Sequence, residues 1–316
     1  MTYEMSYQEK ISFLLSLPSN SACNFRKIAL FRDKNIFVSA DPEGKQCGSG
    51  GGTVNLLVSA WHDFNKKNKI NFEEWLYLSK KLIIHGCGES RRLPAYGPAG
   101  KPMMPIPLIP DLMGQRPDQK LLDLQINSYE HFLLNAPECY RVMVSCGDVL
   151  ILTDEIIPPY PPADILIVGM PSTPEEASHH GVLIADTTDP FSLETFLQKP
   201  SHDFLKRLSA KKIFYIDTGI WFLSMKAIHY LLKKSAVLSL LPGAKMAAIK
   251  YCDLFGGIGP TLGKQPVNRL NKTILTSAIL PLKHGKFYHF GTNKKMISSV
   301  NALLNAEKKN SSFFYT

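Results

Sequence analysis

The chain has 316 residues, 45% hydrophobic and 20% charged, which is enough for one large or two small packed domains and excludes a disordered chain. Lys and Arg number 36 against 27 Asp and Glu, and this +9 excess suits a phosphate-rich ligand, a nucleic acid or an anionic membrane equally well. No apolar run nears the roughly 20 residues that span a bilayer, and the opening MTYEMSYQEK lacks a signal-peptide pattern; six scattered cysteines without a CxxC pair read as reduced thiols of a cytoplasmic protein.

In chain order, ISFLLSL (11–17) is expected as a helical lead-in and IFVSA (36–40) as a short strand. The Gly-dense stretch Gly48-Ser49-Gly50-Gly51-Gly52 is expected as a loop ending at Thr53, a good N-cap. Val54, Leu57, Val58 and Trp61 then follow the i, i+3, i+4, i+7 spacing of a buried helical face. Strand, Gly loop and helix then recur. LIIHGC (82–87) reads as a strand, followed by the loop GESRRLPAYGPAGKPMMPIP and a helix carrying Leu121, Leu124, Gln125 and Tyr129 on one side. RVMVSC (141–146) and ILIVGM (165–170) are further strands, IFYIDTGIWFLS (213–224) is a long one, and a helix runs through Ile228, Leu231 and Leu232. Strands alternating with helices predict an α/β fold with a mostly parallel central sheet and ligands at the carboxyl ends of its strands. After residue 265 the texture becomes β-prone without a strong helix. Two parts are therefore expected: 1–265, and a β-rich segment 266–316. The ending NSSFFYT suggests a piece cut from a longer polypeptide.

Common motifs are missing. Neither Gly44-Lys45 nor Gly100-Lys101 completes a phosphate-binding G-x-x-x-x-G-K-[ST] loop, and there is no G-x-S-x-G elbow or HExxH. His179 and His180 are adjacent, so on a strand they point to opposite faces and do not converge on one ion. Two loops suit phosphate. Gly48 to Thr53 lacks Cβ atoms and precedes a helix N-terminus. The second runs from Gly86 and Gly88 to Arg92 and, nine residues on, Lys101, so fixed cations follow a strand end. Gly147-Asp148 after RVMVSC places a carboxylate where Mg²⁺ would be held against bound phosphates.

The segment GCGESRRLP…GKP resembles the signature of sugar-nucleotide pyrophosphorylases. GSGGGT, Gly114-Gln115-Arg116, SCGDVLI, SHHGVLI, FLQKPS, IDTGIWFLS and DLFGGIGPTLG narrow the resemblance to GDP-fucose pyrophosphorylase domains, over about residues 36 to 300. The resemblance implies a Rossmann-like nucleotidyltransferase fold, with 266–316 as the possible start of a β-helix. It also implies guanylyl transfer from GTP to L-fucose 1-phosphate, giving GDP-L-fucose and pyrophosphate with Mg²⁺. An L-fucokinase domain would be joined in the native chain, and neither nucleic acid nor membrane is an expected partner. Another sugar 1-phosphate nucleotidyltransferase, or a silent nucleotide-sugar-binding domain, is the alternative.

By position in the matched motifs, Arg92 and Lys101 grip the triphosphate, and Gly48 to Thr53, Gly86 and Gly88 line the nucleotide. Gln115 and Arg116 contact base or phosphates. Asp148 binds Mg²⁺, with Asp253 as second ligand. Lys199 holds the sugar phosphate; His180, Gly181 and Asp217 face the sugar. Three positions depart from the family pattern. Gln198 stands where related enzymes carry Glu before the lysine, Cys87 replaces a small residue, and Glu89 puts a negative charge near the triphosphate.

Overall fold

The computed structural model describes residues 10–27, 35–42, 44–87, 93–107, 115–153, 156–237, 249–269 and 273–306. The first apolar run, Ile11–Ser16, is a strand (β1) and not the expected helix. It lies between two parallel neighbours, β2 (Ile36–Ser39) and β3 (Lys80–His85). A strand covered on both faces needs apolar residues at every position, so its pattern does not alternate and mimics that of a buried helix.

The main path of the sheet continues through β4 (Tyr140–Cys146), β9 (Ile213–Ser224), β6 (Ile165–Met170) and β10 (Ser277–Pro281). β2, β1, β3 and β4 run parallel, as do β6 and β10; β9 is antiparallel to both of its main-path neighbours. β7 (Gly181–Ala185) and β8 (Leu193–Gln198) form a hairpin attached to β9 through β7. A separate ribbon pairs β5 (Val149–Leu152) with β11 (Lys286–His289).

Successive side chains of the central strands enter opposite cores. Leu14, Ile83, Val144 and Trp221 join Trp61, Trp75 and Leu231 on one face. Those residues come from α2 (Gly48–Asn65), α3 (Phe72–Leu78) and α7 (Met225–Lys234). Phe13, Leu82, Met143 and Phe222 join Tyr129 and Phe132 of α4 (Leu121–Asn135) on the other. Each fully buried side chain of this kind is worth about 1.5–3 kcal/mol of apolar burial, so the sheet holds the structure together from both sides. Two short helices, α5 (Pro174–Ala177) and α6 (His202–Leu208), flank the β7–β8 hairpin, and α1 (Ser19–Asn24) follows β1.

Two expectations need correction. The glycines before Thr53 are not a loop: α2 begins at Gly48, with Cys47 at its N-cap. Close packing is the reason. A Cβ on Gly50 would lie 2.9 Å from Cys252 Sγ, and one on Gly48, where φ is +72°, would lie 2.5 Å from the Cys252 carbonyl oxygen. The tail after residue 265 is not a separate β-rich part either. β10 completes an edge of the main sheet, and α8 (Asn293–Ala306) is a helix. Leu303 of α8 packs with Tyr288, Phe290, Leu150 and the α4 residues Leu121 and Leu124. Its apolar residues are too sparse to announce a helix unless the β11 strand they pack against is known.

Lys81, on β3, is fully buried and donates to the carbonyls of Trp75 and Ser79 and to the Ser79 hydroxyl, capping the end of α3. Burial, and then the charge of Arg141, push its ammonium down to about 7. Between pH 7 and the usual lysine range the unfolded chain therefore binds more protons than the folded one, and stability gains with pH. Urea melts of the wild type and Lys81→Met should diverge in favour of the wild type by about 1 kcal/mol per unit from pH 7 to 9. Parallel pH curves would contradict this assignment.

Candidate active site

β9 has two edges. One carries β6 along its length. The other pairs with β7 up to Ile216 and with β4 from Ile220 onward. Between the two lie Asp217, Thr218 and Gly219, where the edge changes partner. The end of β4 and the start of β7 meet this gap, a switch point of the kind at which open α/β sheets bind ligands.

Cys146 closes β4 at the gap, and Gly219 packs against its thiol with φ of +74°; a Cβ on Gly219 would sit 2.8 Å from Cys146 Sγ. Burial, and then the charges of Asp148 and Asp217, push the Cys146 thiol well up; Lys101 opposes them and Asp253 adds to them. The charges of the candidate residues Lys101, Asp148, Asp217 and Asp253, far apart in sequence, are all felt at this one half-buried thiol.

Lys101 Nζ lies 2.6 Å from Asp148 Oδ2, and His289 Nε2 lies 3.7 Å from the same oxygen. Burial alone would raise the Asp148 carboxyl. The neighbouring His289 ring and the Lys101 ammonium, hydrogen-bonded to it, outweigh this and hold the carboxyl well below the usual range. Glycines make this pairing possible. Gly147 N donates to His85 O and Gly86 N to Ser16 O, so the ends of β1, β3 and β4 are tied side by side. Pro102 wedges against both glycines: a Cβ on Gly147 would lie 2.6 Å from its ring and one on Gly86 2.9 Å. Gly100, with φ of +88°, turns the chain into Lys101-Pro102.

Asp217 accepts from Gly219 N and Trp221 Nε1 through one oxygen. Burial pushes its carboxyl up to about 6 against those two donors. Gly181 faces it, since a Cβ there would lie 3.3 Å from the second oxygen. Lys199, at the end of β8, adopts φ of +45°, an uncommon conformation for a side chain-bearing residue, and its N–H donates to His180 O. Gln198 donates to the Phe255 carbonyl, so the position that departs from the family pattern ties β8 to the 254–258 turn.

Asp253 caps that turn by accepting from Phe255 N, and its Oδ1 also accepts from the Ser49 hydroxyl 2.7 Å away. Gly50 N and Gly51 N both donate to Cys252 O. Two of the amides expected to cradle phosphate are thus used inside the protein. Thr53 bonds to Ser49 O and to the ring of buried His85. Burial lowers the His85 imidazole to about 4, so it stays neutral.

Arg116 is ion-paired to Asp118 and Asp123 at the start of α4, and Gln115 accepts from Gln119. Nothing in those bonds draws either residue toward Asp148. Gly88, Glu89 and Arg92, with Gly114, lie outside the described residues. Sequence reasoning missed His289 and Lys295. Lys295 Nζ lies 2.8 Å from His180 Nε2, so the C-terminal segment reaches two candidate site residues. The basic and aromatic run KHGKFYHFGTNKK held that signal, but it read as a generic surface.

A divalent cation fits this donor set. Magnesium takes one or two carboxylates and fills its remaining positions with phosphate oxygens and water. Asp148 Oδ1 and Asp253 Oδ2 have no partner among the described residues. No group of three or more His, Cys, Asp or Glu side chains that could hold a metal occurs among those residues.

The fucose pyrophosphorylase domain model matches residues 74–256, more than half of the chain and all four strands around the gap, β4, β6, β7 and β9. The chain belongs to the fucose pyrophosphorylase domain family. It is 38% identical over 92% of its length to an L-fucokinase/L-fucose-1-P guanylyltransferase of Bacteroides fragilis, covering 30% of that protein. It is 25% identical over 83% of its length to a bifunctional fucokinase/GDP-fucose pyrophosphorylase of Arabidopsis thaliana, covering 28% of it. Against a human fucose-1-phosphate guanylyltransferase it is 26% identical over 68%, covering 32%. The chain thus spans about a third of the length of the curated relatives it matches. No helix among the described residues is long and apolar enough to cross a membrane.

Gly147 is the joint on which the candidate site turns. Gly147→Ala would put a Cβ 2.5 Å from His85 O, so backbone must shift. The expected loss is about 1–3 kcal/mol in urea unfolding. An unchanged midpoint would show that the joint is looser than described.

Proposed function

We propose that this chain transfers guanylyl from GTP to L-fucose 1-phosphate, releasing pyrophosphate and forming GDP-L-fucose, in a reversible, magnesium-dependent reaction. The observation that carries the reading is the Lys101–Asp148 pair beside the gap in β9, in a chain of this family. An acceptor phosphate oxygen attacks the α-phosphorus, the bond from that phosphorus to the bridging oxygen breaks, and pyrophosphate leaves with the electron pair. The nucleophile is already an anion, so no general base is required. The work is to bring two anions together and to receive charge on the leaving group.

Lys101 would hold triphosphate oxygens, with Arg92, Gly86 and Gly88 on the same loop. Asp148, with Asp253, would hold magnesium, which draws charge from the phosphates. Lys199 would grip the acceptor phosphate, and Asp217, Gly181 and His180 would meet the sugar. Gly48 to Thr53, with Gln115 and Arg116, would face the nucleotide. The longer curated relatives support an L-fucokinase domain joined to this one, and six cysteines without a CxxC pair fit a cytoplasmic protein.

Incubation with GTP, L-fucose 1-phosphate and Mg²⁺ should release pyrophosphate, and Lys101→Met should lower kcat/KM by about 10²–10³, or 3–4 kcal/mol. Turnover with another nucleotide or sugar phosphate but not this pair would overturn the specificity. A carboxylate is the better hydrogen-bond acceptor for sugar hydroxyls, so the acceptor KM should rise as pH falls through about 6, where Asp217 takes up its proton. Asp217→Asn should remove that rise; a persisting rise assigns it elsewhere.

A further inference from the structure

Helix α4 carries a polar side chain where the core calls for an apolar one. Gln125 is fully buried, and its amide nitrogen donates to Cys146 O at 3.2 Å and to Val149 O at 2.7 Å. Both partners are carbonyls, so the NH₂ end of the amide faces them and the oxygen points away. Those carbonyls stand at the two ends of the turn that joins β4 to β5, and the residues between them are Gly147 and Asp148. One side chain therefore spans the turn that presents the Asp148 carboxylate to Lys101.

The start of α4 holds the other partner of that ion pair. Leu121 N donates to Met104 O, directly after the short helical turn Lys101–Met103, and Leu121 and Leu124 pack with Met104 and Ile106. Residues 121–125 thus tie the Lys101 segment on one side and the Asp148 turn on the other.

Stability does not account for the glutamine. Gln125 Oε1 is buried and has no hydrogen-bond partner among the described residues, an arrangement that costs folding free energy. The two carbonyls would not be stranded without the amide. Cys146 O also accepts from the Ser145 hydroxyl, and Val149 O from the Tyr129 hydroxyl. An apolar side chain of the same length would suit the core better and would lose only the bridge between the two carbonyls. Tyr129 cannot replace that bridge, because its hydroxyl reaches one end of the turn alone.

We propose that Gln125 is a positioning residue for guanylyl transfer: it holds the Gly147–Asp148 turn at a fixed distance from α4, so that Lys101 and Asp148 enter the reaction already aligned. The inference rests on the catalytic reading above and concerns a buried residue that meets neither substrate. Loosening such a support costs rate and leaves the acceptor's own contacts intact.

The full chain carrying Gln125→Met tests this. Its urea midpoint should equal or exceed that of the wild type, because an orphaned acceptor is removed and both carbonyls keep a donor. Its kcat for pyrophosphate release should fall about 10–100-fold, with the acceptor KM changed less than about threefold. In a Lys101→Met background the same substitution should have little further effect, because the pair it aligns is already broken. Hydrogen exchange of the β4–β5 turn, read by mass spectrometry without substrates, should be faster in Gln125→Met than in the wild type. A folded variant with kcat within about twofold of wild type overturns the proposal. So does full additivity with Lys101→Met, or unchanged exchange at the turn. A midpoint clearly below wild type, or a variant that does not fold, overturns it as well, since either makes Gln125 a stability residue. A wild-type protein that releases no pyrophosphate with any sugar 1-phosphate defeats the catalytic reading instead; faster exchange in the variant would still identify Gln125 as the clamp on the turn.

Discussion

The ion pair between Lys101 and Asp148 organises this molecule, because it requires the ends of three parallel strands to be brought within reach of one loop. A charged pair at the mouth of a sheet is useful only if its geometry is fixed in advance, since reorganisation during reaction would forfeit most of its value. Fixing it falls to residues with no charge at all. Gly86 and Gly147 let backbones touch, Gly100 turns the chain, and Pro102 fills the space the missing side chains leave. The apolar cores above and below the sheet then hold β1, β3 and β4 in register, so the burial of Leu14, Ile83 and Val144 on one face is part of what positions Lys101.

The carboxylates of the site are differentiated by their surroundings. Asp148 faces two basic groups and stays ionised, whereas Asp217 meets one backbone amide and one indole within a buried gap and takes up a proton far more readily. Asp253 sits at the head of a turn and is anchored to Ser49 on α2. The same residue type is therefore a paired carboxylate, a readily protonated one or a turn cap according to which donors the fold supplies.

Much of this was legible before any coordinates. The strands ILIVGM and IFYIDTGIWFLS appear at the residues read from the sequence, because long apolar β-prone runs bounded by turns leave little ambiguity. Among the motif residues, Lys101 meets Asp148, Gly181 faces Asp217, and Asp253 meets Ser49. What failed had physical causes. Ile11–Ser16 lacks the alternation of a half-exposed strand because both faces are covered. The GSGGGT glycines read as a phosphate-binding loop, whereas they form the first turn of α2 and let Cys252 and its carbonyl press against it. α8 was invisible because its few apolar residues make sense only in the cluster they form with β11, β5 and α4, much of which lies far away in the chain. His289 and Lys295 went unread for a related reason. Pairing between β5 and β11 is long-range, and nothing local predicts that it carries a histidine to Asp148.

The twelve-residue strand β9 has one further implication. A single uninterrupted backbone is shared by the hairpin that bears Gly181 and by the strand that delivers Cys146 and Asp148. The spacing between the Gly181 hairpin and the Cys146 end of β4 is therefore set by one strand, and a register shift in β9 would displace both sides of the crevice together.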